Sequence, residues 1–237
     1  MVTLWLHLKA PFAAFRWMQA GVWRGTSPVI PPSAAWGLVL NLAGIESRSA
    51  EPGVTTGVRD DVPHFEVAIG TPHDAATGQA RQFERATLYQ QLHSYPVGAA
   101  GKELEARAHG QKYWIAPVRR ELLIDFEVVV GVRAEASLAN RVRAGLRGEL
   151  DVVRYGLPFA GDNSFLFESI DALDSPPRVH WYTPLERGKG ARAGSARLTI
   201  GIDRRDASGT TSELFAPHEE ALELPPAAAW VFVPRAS

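Results

Sequence analysis

Arginine and aromatic side chains near the amino terminus offer the clearest chemistry in this sequence. Within residues 11–46, Arg16, Gln19, Trp23 and Arg24 follow an apolar run. Guanidinium groups bind phosphates through paired hydrogen bonds, and aromatic faces stack unpaired bases. The stretch therefore favours single-stranded nucleic acid. The alternative interpretation is that its aromatic residues are core and its arginines are solvated.

A second group of side chains has the types that cut RNA without a metal. It consists of His93, Tyr95, His109, Lys112 and Tyr113. Such cleavage needs a base near the 2′-hydroxyl, a general acid for the leaving oxygen and a cation beside the phosphorane. His109, Lys112 and Tyr113 are the candidates for these roles if the protein is a nuclease. The alternative is that the group only grips RNA or shapes the fold.

Several other chemistries find no support in the sequence. The chain has no cysteine, which excludes disulfides and cysteine-based metal sites or nucleophiles. His64 and His73 lack the spacing of a helical metal pair or a facial triad, and phosphate-loop and nucleophile-elbow motifs are absent. We therefore expect no metal and no cofactor.

Composition describes a globular chain with a local bias in charge. The net charge of −1 argues against a general nucleic-acid coat. Basic side chains exceed acidic ones in residues 1–48, 102–147 and 178–205. Only four of the 25 basic residues are lysine, a bias that suits RNA but also follows from a GC-rich genome.

No segment has the length of a membrane span. Residues 34–43 form the longest apolar run, interrupted by Asn41, and this is half of the roughly 20 residues that a span needs. We expect a soluble, cytoplasmic protein.

Periodicity predicts the elements that position these side chains. Leu4, Leu6 and Leu8 alternate in a strand over residues 2–9. Ser33 is the expected N-cap of a buried helix that ends at Gly44. A second helix is expected over residues 137–147.

Further strands are predicted along the rest of the chain. They cover residues 64–70, 113–118, 122–132, 179–182, 197–203 and 230–233. Residues 71–110 show no sustained period and predict a protruding functional insertion. The order strand–helix–strand, repeated once, is compatible with the ferredoxin-like framework of RNA-recognition modules.

Four segments of the sequence resemble the Cas five family of CRISPR-associated proteins, in its DevS-like branch. The segments span residues 12–37, 92–98, 110–121 and 155–163. They include Pro32-Ser33-Ala34-Ala35-Trp36-Gly37 and Gly156-Leu157-Pro158-Phe159. Their order and spacing carry the resemblance.

The resemblance implies a fold and a function. The fold would be α+β, a single domain over residues 1–237 with a ferredoxin-like (RRM-like, RAMP-type) βαββαβ core. A β-hairpin thumb would lie within residues 71–120, and the C-terminal part would be β-rich. The function would be a non-catalytic subunit of a type I Cascade that caps the 5′ handle of the guide RNA (crRNA).

Partners and contacts are also implied by the family. The partners would be the crRNA 5′ handle, the Cascade large subunit, the first Cas seven backbone subunit and, as a further contact, target DNA near the PAM. The expected RNA-binding residues are Arg16, Gln19, Trp23, Arg24, Ser33, His93, Tyr95, Lys112, Arg119 and Arg120. Two adjacent arginines on a strand point to opposite faces, so at most one of Arg119 and Arg120 should reach RNA there.

Two other functions remain open at this point. One is a metal-independent endoribonuclease that processes repeat RNA. The other is a protein-only scaffold whose basic segments face acidic partners.

Overall fold

A computed structural model gives a sheet-dominated α+β fold with few helices. It describes residues 1–49, 57–96, 109–111, 113–186, 188, 190–202 and 209–232. The strands are β1 (Val2–Ala13), β2 (Arg16–Ala20), β3 (Trp23–Thr26), β4 (Glu66–Asp74), β5 (Gln79–Ala80), β6 (Arg85–Pro96), β7 (Tyr113–Ala134), β8 (Ser169–Leu173), β9 (Val179–Pro184), β10 (Ala196–Gly201), β11 (Thr211–Pro217) and β12 (Val231–Phe232). The helices are α1 (Pro32–Leu42), α2 (Ala136–Leu146) and a short 3-10 helix, Ala227–Ala229.

Strand β7 is the centre of the sheet. The main path of strands runs β10-β11-β9-β4-β7-β1-β8. The carboxyl half of β7 lies antiparallel to both β1 and β4, and β1 is also antiparallel to β8. Helix α1 precedes β4 along the chain, and α2 connects β7 to β8.

The alternation predicted for β1 separates two apolar clusters. Leu4, Leu6 and Leu8 are fully buried and share the main core with residues of both helices. Trp5 points to the other face, where its ring lies 5.8 Å from that of Trp181. Both faces of the sheet are therefore covered at β1.

The two helices meet at a glycine. A Cβ on Gly145 would lie 1.8 Å from the carbonyl oxygen of Leu42, so a larger residue cannot occupy this crossing without moving a helix. Helix α1 is buried as predicted and is followed by Gly44 at φ +67°. The expected Ser33 cap is wrong, because Pro31 is the N-cap and no side chain caps the helix.

Residues 85–134 differ from the sequence prediction in one important respect. The two strands predicted at 113–118 and 122–132 are a single strand, β7, which continues through Arg119 and Arg120. Its amino half pairs with β6 along the whole of that strand. Within the predicted insertion, residues 85–96 are therefore a long strand rather than a segment without regular structure. Residues 97–108 and 112 lie outside the described residues.

Strands β2, β3, β5, β6, β8 and β11 were not predicted from periodicity, whereas β9, β10 and β12 overlap the predicted strands. Within the described ranges, no helix combines the length and apolarity needed to cross a membrane.

Candidate nucleic-acid interface

The arginine-rich segment after β1 folds into a small hairpin fixed against β7. Strands β2 and β3 pair antiparallel, and β3 lies parallel to β7. The backbone N–H of Thr26 donates to the Glu121 carboxylate at 2.9 Å. The Arg119 N–H donates to the Val22 carbonyl oxygen at 2.8 Å. The sequence predicted no strand here; these non-local bonds make the segment part of the sheet.

A polar cavity of about 220 Å³ opens where this hairpin meets β7, and we call it the basic pocket. It is lined by Ala14, Phe15, Arg16, Gln19, Arg24, Gly25, Arg120, Glu121 and Gly161. Four of the residues predicted to bind RNA thus meet at one place: Arg16, Gln19, Arg24 and Arg120.

Strand register explains why these side chains converge. Gln19 pairs with Arg24, and Arg24 pairs with Arg120 across the next strand boundary. Directly paired residues point to the same face of a sheet. The three residues therefore form a row across β2, β3 and β7.

The arginines of the basic pocket keep donors available for an anion. Among the described residues, Arg16 and Arg24 form no ion pair, and Arg24 donates to the Gly21 carbonyl oxygen at 3.1 Å. Arg120 is paired with Asp162 at 2.6 Å, but its Nε is buried without an acceptor in the described chain. A phosphate has the charge and oxygen geometry to satisfy such donors.

Arg119 lies on the opposite face of the same sheet, as the strand geometry predicted. It pairs with Trp23 on β3 and Tyr89 on β6. Its guanidinium carbon lies 5.7 Å from the centre of the Tyr89 ring. Trp23 and Arg119 are thus separated from the basic pocket by the thickness of the sheet.

A glycine joins the carboxyl-terminal half of the chain to the basic pocket. Gly161 has φ +83°, and a Cβ there would lie 2.4 Å from the Ala14 carbonyl oxygen. Next to it, the Ala14 N–H donates to the Ala160 carbonyl oxygen at 2.9 Å. This contact places Asp162 beside Arg120.

The other predicted site residues lie elsewhere. Ser33 is in the first turn of α1 and does not line the basic pocket. His93 and Tyr95 lie on β6, opposite Ile115 and Trp114. His109 and Tyr113 are exposed near the start of β7, and Lys112 lies outside the described residues.

Sequence reasoning missed two acidic residues and one glycine of the interface. Glu121 and Asp162 orient the hairpin and Arg120, respectively, and Gly161 sets the close approach. The sequence offers one signal for Glu121, which directly follows Arg119 and Arg120. In the described part of the chain, no group of three or more metal-binding side chains is brought together.

Comparison with solved structures defines the class of fold. A chain of a structure described as "CRISPR RNA-guided surveillance complex" has a TM-score of 0.55 and 14% sequence identity, with 96% of each chain covered. Another, described as "Crystal structure of Cas protein", has a TM-score of 0.48 and 14% identity, covering 95% of this chain and 100% of that one. The protein thus shares the sheet-dominated α+β fold of a chain from a CRISPR surveillance complex.

A family model identifies the family. The model Cas_Cas5d, described as "CRISPR-associated protein (Cas_Cas5)", matches residues 3–148, more than half of the chain. The chain belongs to this family, the Cas five family that the sequence resembles. No curated protein matches it.

Proposed function

We propose that this protein is the subunit of a type I Cascade that binds the 5′ handle of the guide RNA through the basic pocket. The observation that carries the proposal is the convergence of Arg16, Arg24 and Arg120 with donors left unpaired within the described chain. Phosphates of a single strand would bind these arginines, and Gln19 would contact a phosphate or a base edge. Family membership supplies the Cascade context.

The core of the fold is proposed to be ferredoxin-like. The spatial order β8-β1-β7-β4, with α1 before β4 and α2 before β8, supports this assignment. The strands β6 and the amino half of β7, which pair over residues 85–96 and 113–123, overlap most of the expected range 71–120 and are proposed to form the thumb.

The proposed partners are the Cascade large subunit and the first Cas seven backbone subunit. In this role the protein recognises RNA by phosphates and splayed bases and does not cut it. Of the side chains that the endoribonuclease alternative would use, His109 and Tyr113 are exposed, and Lys112 lies outside the described residues.

A salt titration of RNA binding tests the proposal directly. The purified protein is titrated with a fluorescent repeat-derived RNA, and the affinity of the Arg16→Ala/Arg24→Ala variant is compared with that of the unaltered chain. For a single strand, log K falls with log salt by about 0.7 per phosphate contact, so losing two contacts should reduce the slope by about 1.4. Arg147→Ala is the control, because Arg147 is exposed and paired with Glu149 away from the pocket.

Unchanged affinity and slope in the double variant would overturn the assignment of the basic pocket. The endoribonuclease alternative is tested on the same repeat RNA. We expect no cleavage; cleavage that His109→Ala abolishes would replace the non-catalytic proposal with the nuclease.

A further inference from the structure

A large apolar cavity lies on the other side of the Gly161 contact, between helix α1 and residues 153–161. Its volume is about 580 Å³. The helix contributes Ala34, Gly37 and Asn41, and the loop contributes Tyr155, Leu157 and Phe159. We call this the apolar groove.

The loop wall of the groove exposes large apolar side chains to solvent. Val153 is 97% exposed, Tyr155 72%, Leu157 69% and Phe159 46%. Clustered exposure of this kind on a folded protein marks a binding surface, whereas apolar residues scattered singly do not. The groove is therefore a candidate docking site.

The charged groups of the groove are paired among the described residues, and the one polar atom left buried without a partner there is the Oδ1 of Asn41. The charged lining residues, Glu46 and Arg48, form an ion pair at 3.0 Å. The Arg48 guanidinium carbon also lies 3.5 Å from the centre of the Tyr155 ring, and the Asn41 amide donates to the Gly156 carbonyl oxygen at 3.0 Å. The hydrogen bond from Arg48 lowers the pKa of Glu46, so this pair is fully charged at neutral pH.

The charge of the groove distinguishes it from the basic pocket. Arg16 and Arg24 have no carboxylate partner among the described residues, whereas the charges of the groove cancel each other. A polyanion gains nothing from a neutral apolar wall, but an apolar protein segment does. The occupant that fits is an uncharged part of a protein.

The position of the groove indicates what kind of protein would occupy it. The groove and the basic pocket share two lining residues, Phe15 and Gly161. A protein seated in the groove would therefore lie beside RNA held in the pocket. If the proposed function holds, that protein is a neighbouring subunit of the same ribonucleoprotein.

We propose that the apolar groove is the docking site of a neighbouring protein subunit of the same complex, which inserts a leucine, methionine or aromatic side chain between α1 and the 153–161 loop. The small residues Ala34 and Gly37 leave room for that side chain against the helix. The identity of the partner as a Cascade subunit rests on the proposed function.

Site-specific photocrosslinking tests the proposal in the assembled complex. A photoreactive phenylalanine analogue replaces Leu157 in the protein co-expressed with its neighbouring genes and a repeat array, and the purified particle is irradiated. Leu224 is the matched control position, because it is 65% exposed and lies in the carboxyl-terminal part. We expect a crosslink from position 157, and not from 224, to a peptide of another subunit with a large apolar residue at the crosslinked position.

A crosslink to RNA, equal crosslinking from both positions, or none from position 157 would overturn the proposal. The guide RNA is extracted from the same particle, so the two proposals are judged separately. A particle without guide RNA that still gives the protein crosslink would reject the handle function and retain the docking site.

A groove-filling substitution gives an independent measure. A Cβ on Gly37 would meet no atom within 4 Å, so Gly37→Phe should fill the groove without disturbing the core. We expect the amount of the crosslinked subunit that copurifies with this variant to fall by on the order of tenfold or more. RNA binding of the isolated protein should be unchanged. Gly37→Ala, which adds one methyl group, should retain the subunit; equal retention in both variants would contradict the proposal.

Discussion

Replacing Gly161 with alanine should push Gly161 away from Ala14 and Phe15, two residues that line the basic pocket with it. The new Cβ would lie 2.4 Å from the Ala14 carbonyl oxygen and 2.6 Å from a ring carbon of Phe15. Neither neighbour can move cheaply, because one is backbone and the other is a buried ring. The Ala14–Ala160 hydrogen bond lies directly beside the clash.

The expected loss of stability is the sum of three contributions. A left-handed conformation costs an alanine about 1 kcal/mol. Overpacking a closed contact adds about 1–3 kcal/mol, and loss of a buried hydrogen bond adds about 1 kcal/mol. Together these give about 3–5 kcal/mol, a large share of the roughly 5–15 kcal/mol that stabilises a domain.

Urea unfolding of three variants distinguishes these contributions. Gly78 has φ +70° but open space around its Cβ position, so Gly78→Ala should cost about 1 kcal/mol from conformation alone. Gly156→Ala, in the same loop as Gly161 and also in open space, should change stability by less than about 0.5 kcal/mol. Gly161→Ala should exceed both by at least about 2 kcal/mol and should weaken RNA binding.

A Gly161→Ala protein no less stable than Gly78→Ala would refute the close approach at Ala14. Full stability loss with unchanged RNA affinity would refute the link between this contact and the basic pocket.

Three further predictions concern single residues. Arg120→Ala should weaken the binding of repeat RNA, measured by fluorescence anisotropy, by on the order of tenfold. Arg119→Ala should have a smaller effect, because Arg119 lies on the opposite face of the sheet. A larger effect of Arg119→Ala would contradict the face assignment. Gly145→Ala should lower the free energy of unfolding by about 3 kcal/mol, because the new Cβ would overlap the Leu42 carbonyl oxygen. An unchanged melting temperature in calorimetry would disprove the close helix crossing. Burial raises the pKa of Tyr182 above its ordinary value. The unfolded chain therefore ionises first, and the free energy of unfolding measured in urea should be constant below about pH 10 and fall as the pH rises above it. Tyr182→Phe should remove this part of the fall, and an identical pH profile in the variant would contradict the prediction.

The sequence predicted those elements whose patterns are local. Leu4, Leu6 and Leu8 alternate strictly, so β1 was recognised, and α2 was placed within one residue of each end. The buried helix α1 was recognised from its apolar run, although Pro31 rather than Ser33 precedes it as the cap. Local periodicity carries this information because one face of each element is buried.

Elements held by distant contacts were missed. The hairpin of β2 and β3 has no alternation; it forms because Thr26 and Val22 bond to β7 almost one hundred residues later. The polar run at Arg119 and Arg120 favours a break between two strands, but that part of β7 is partly exposed on both faces and tolerates charge.

The candidate site was predicted in its residue types and not in its grouping. Arg16, Gln19, Arg24 and Arg120 were all named from the sequence, and the structure brings them together. Nothing local indicated that Asp162 would reach Arg120, because that contact depends on the packing of Gly161 against Ala14. The apolar groove was missed for the same reason.

The most direct test of the central claim is to sequence the RNA bound by the assembled complex. The tagged protein is co-expressed with its neighbouring genes and a repeat array, purified as a particle, and the 5′ ends of the bound RNA are determined. Our account predicts uniform repeat-derived 5′ ends and their loss in the Arg16→Ala/Arg24→Ala variant. An absence of RNA, random fragments, or unchanged guide occupancy in that variant would contradict it.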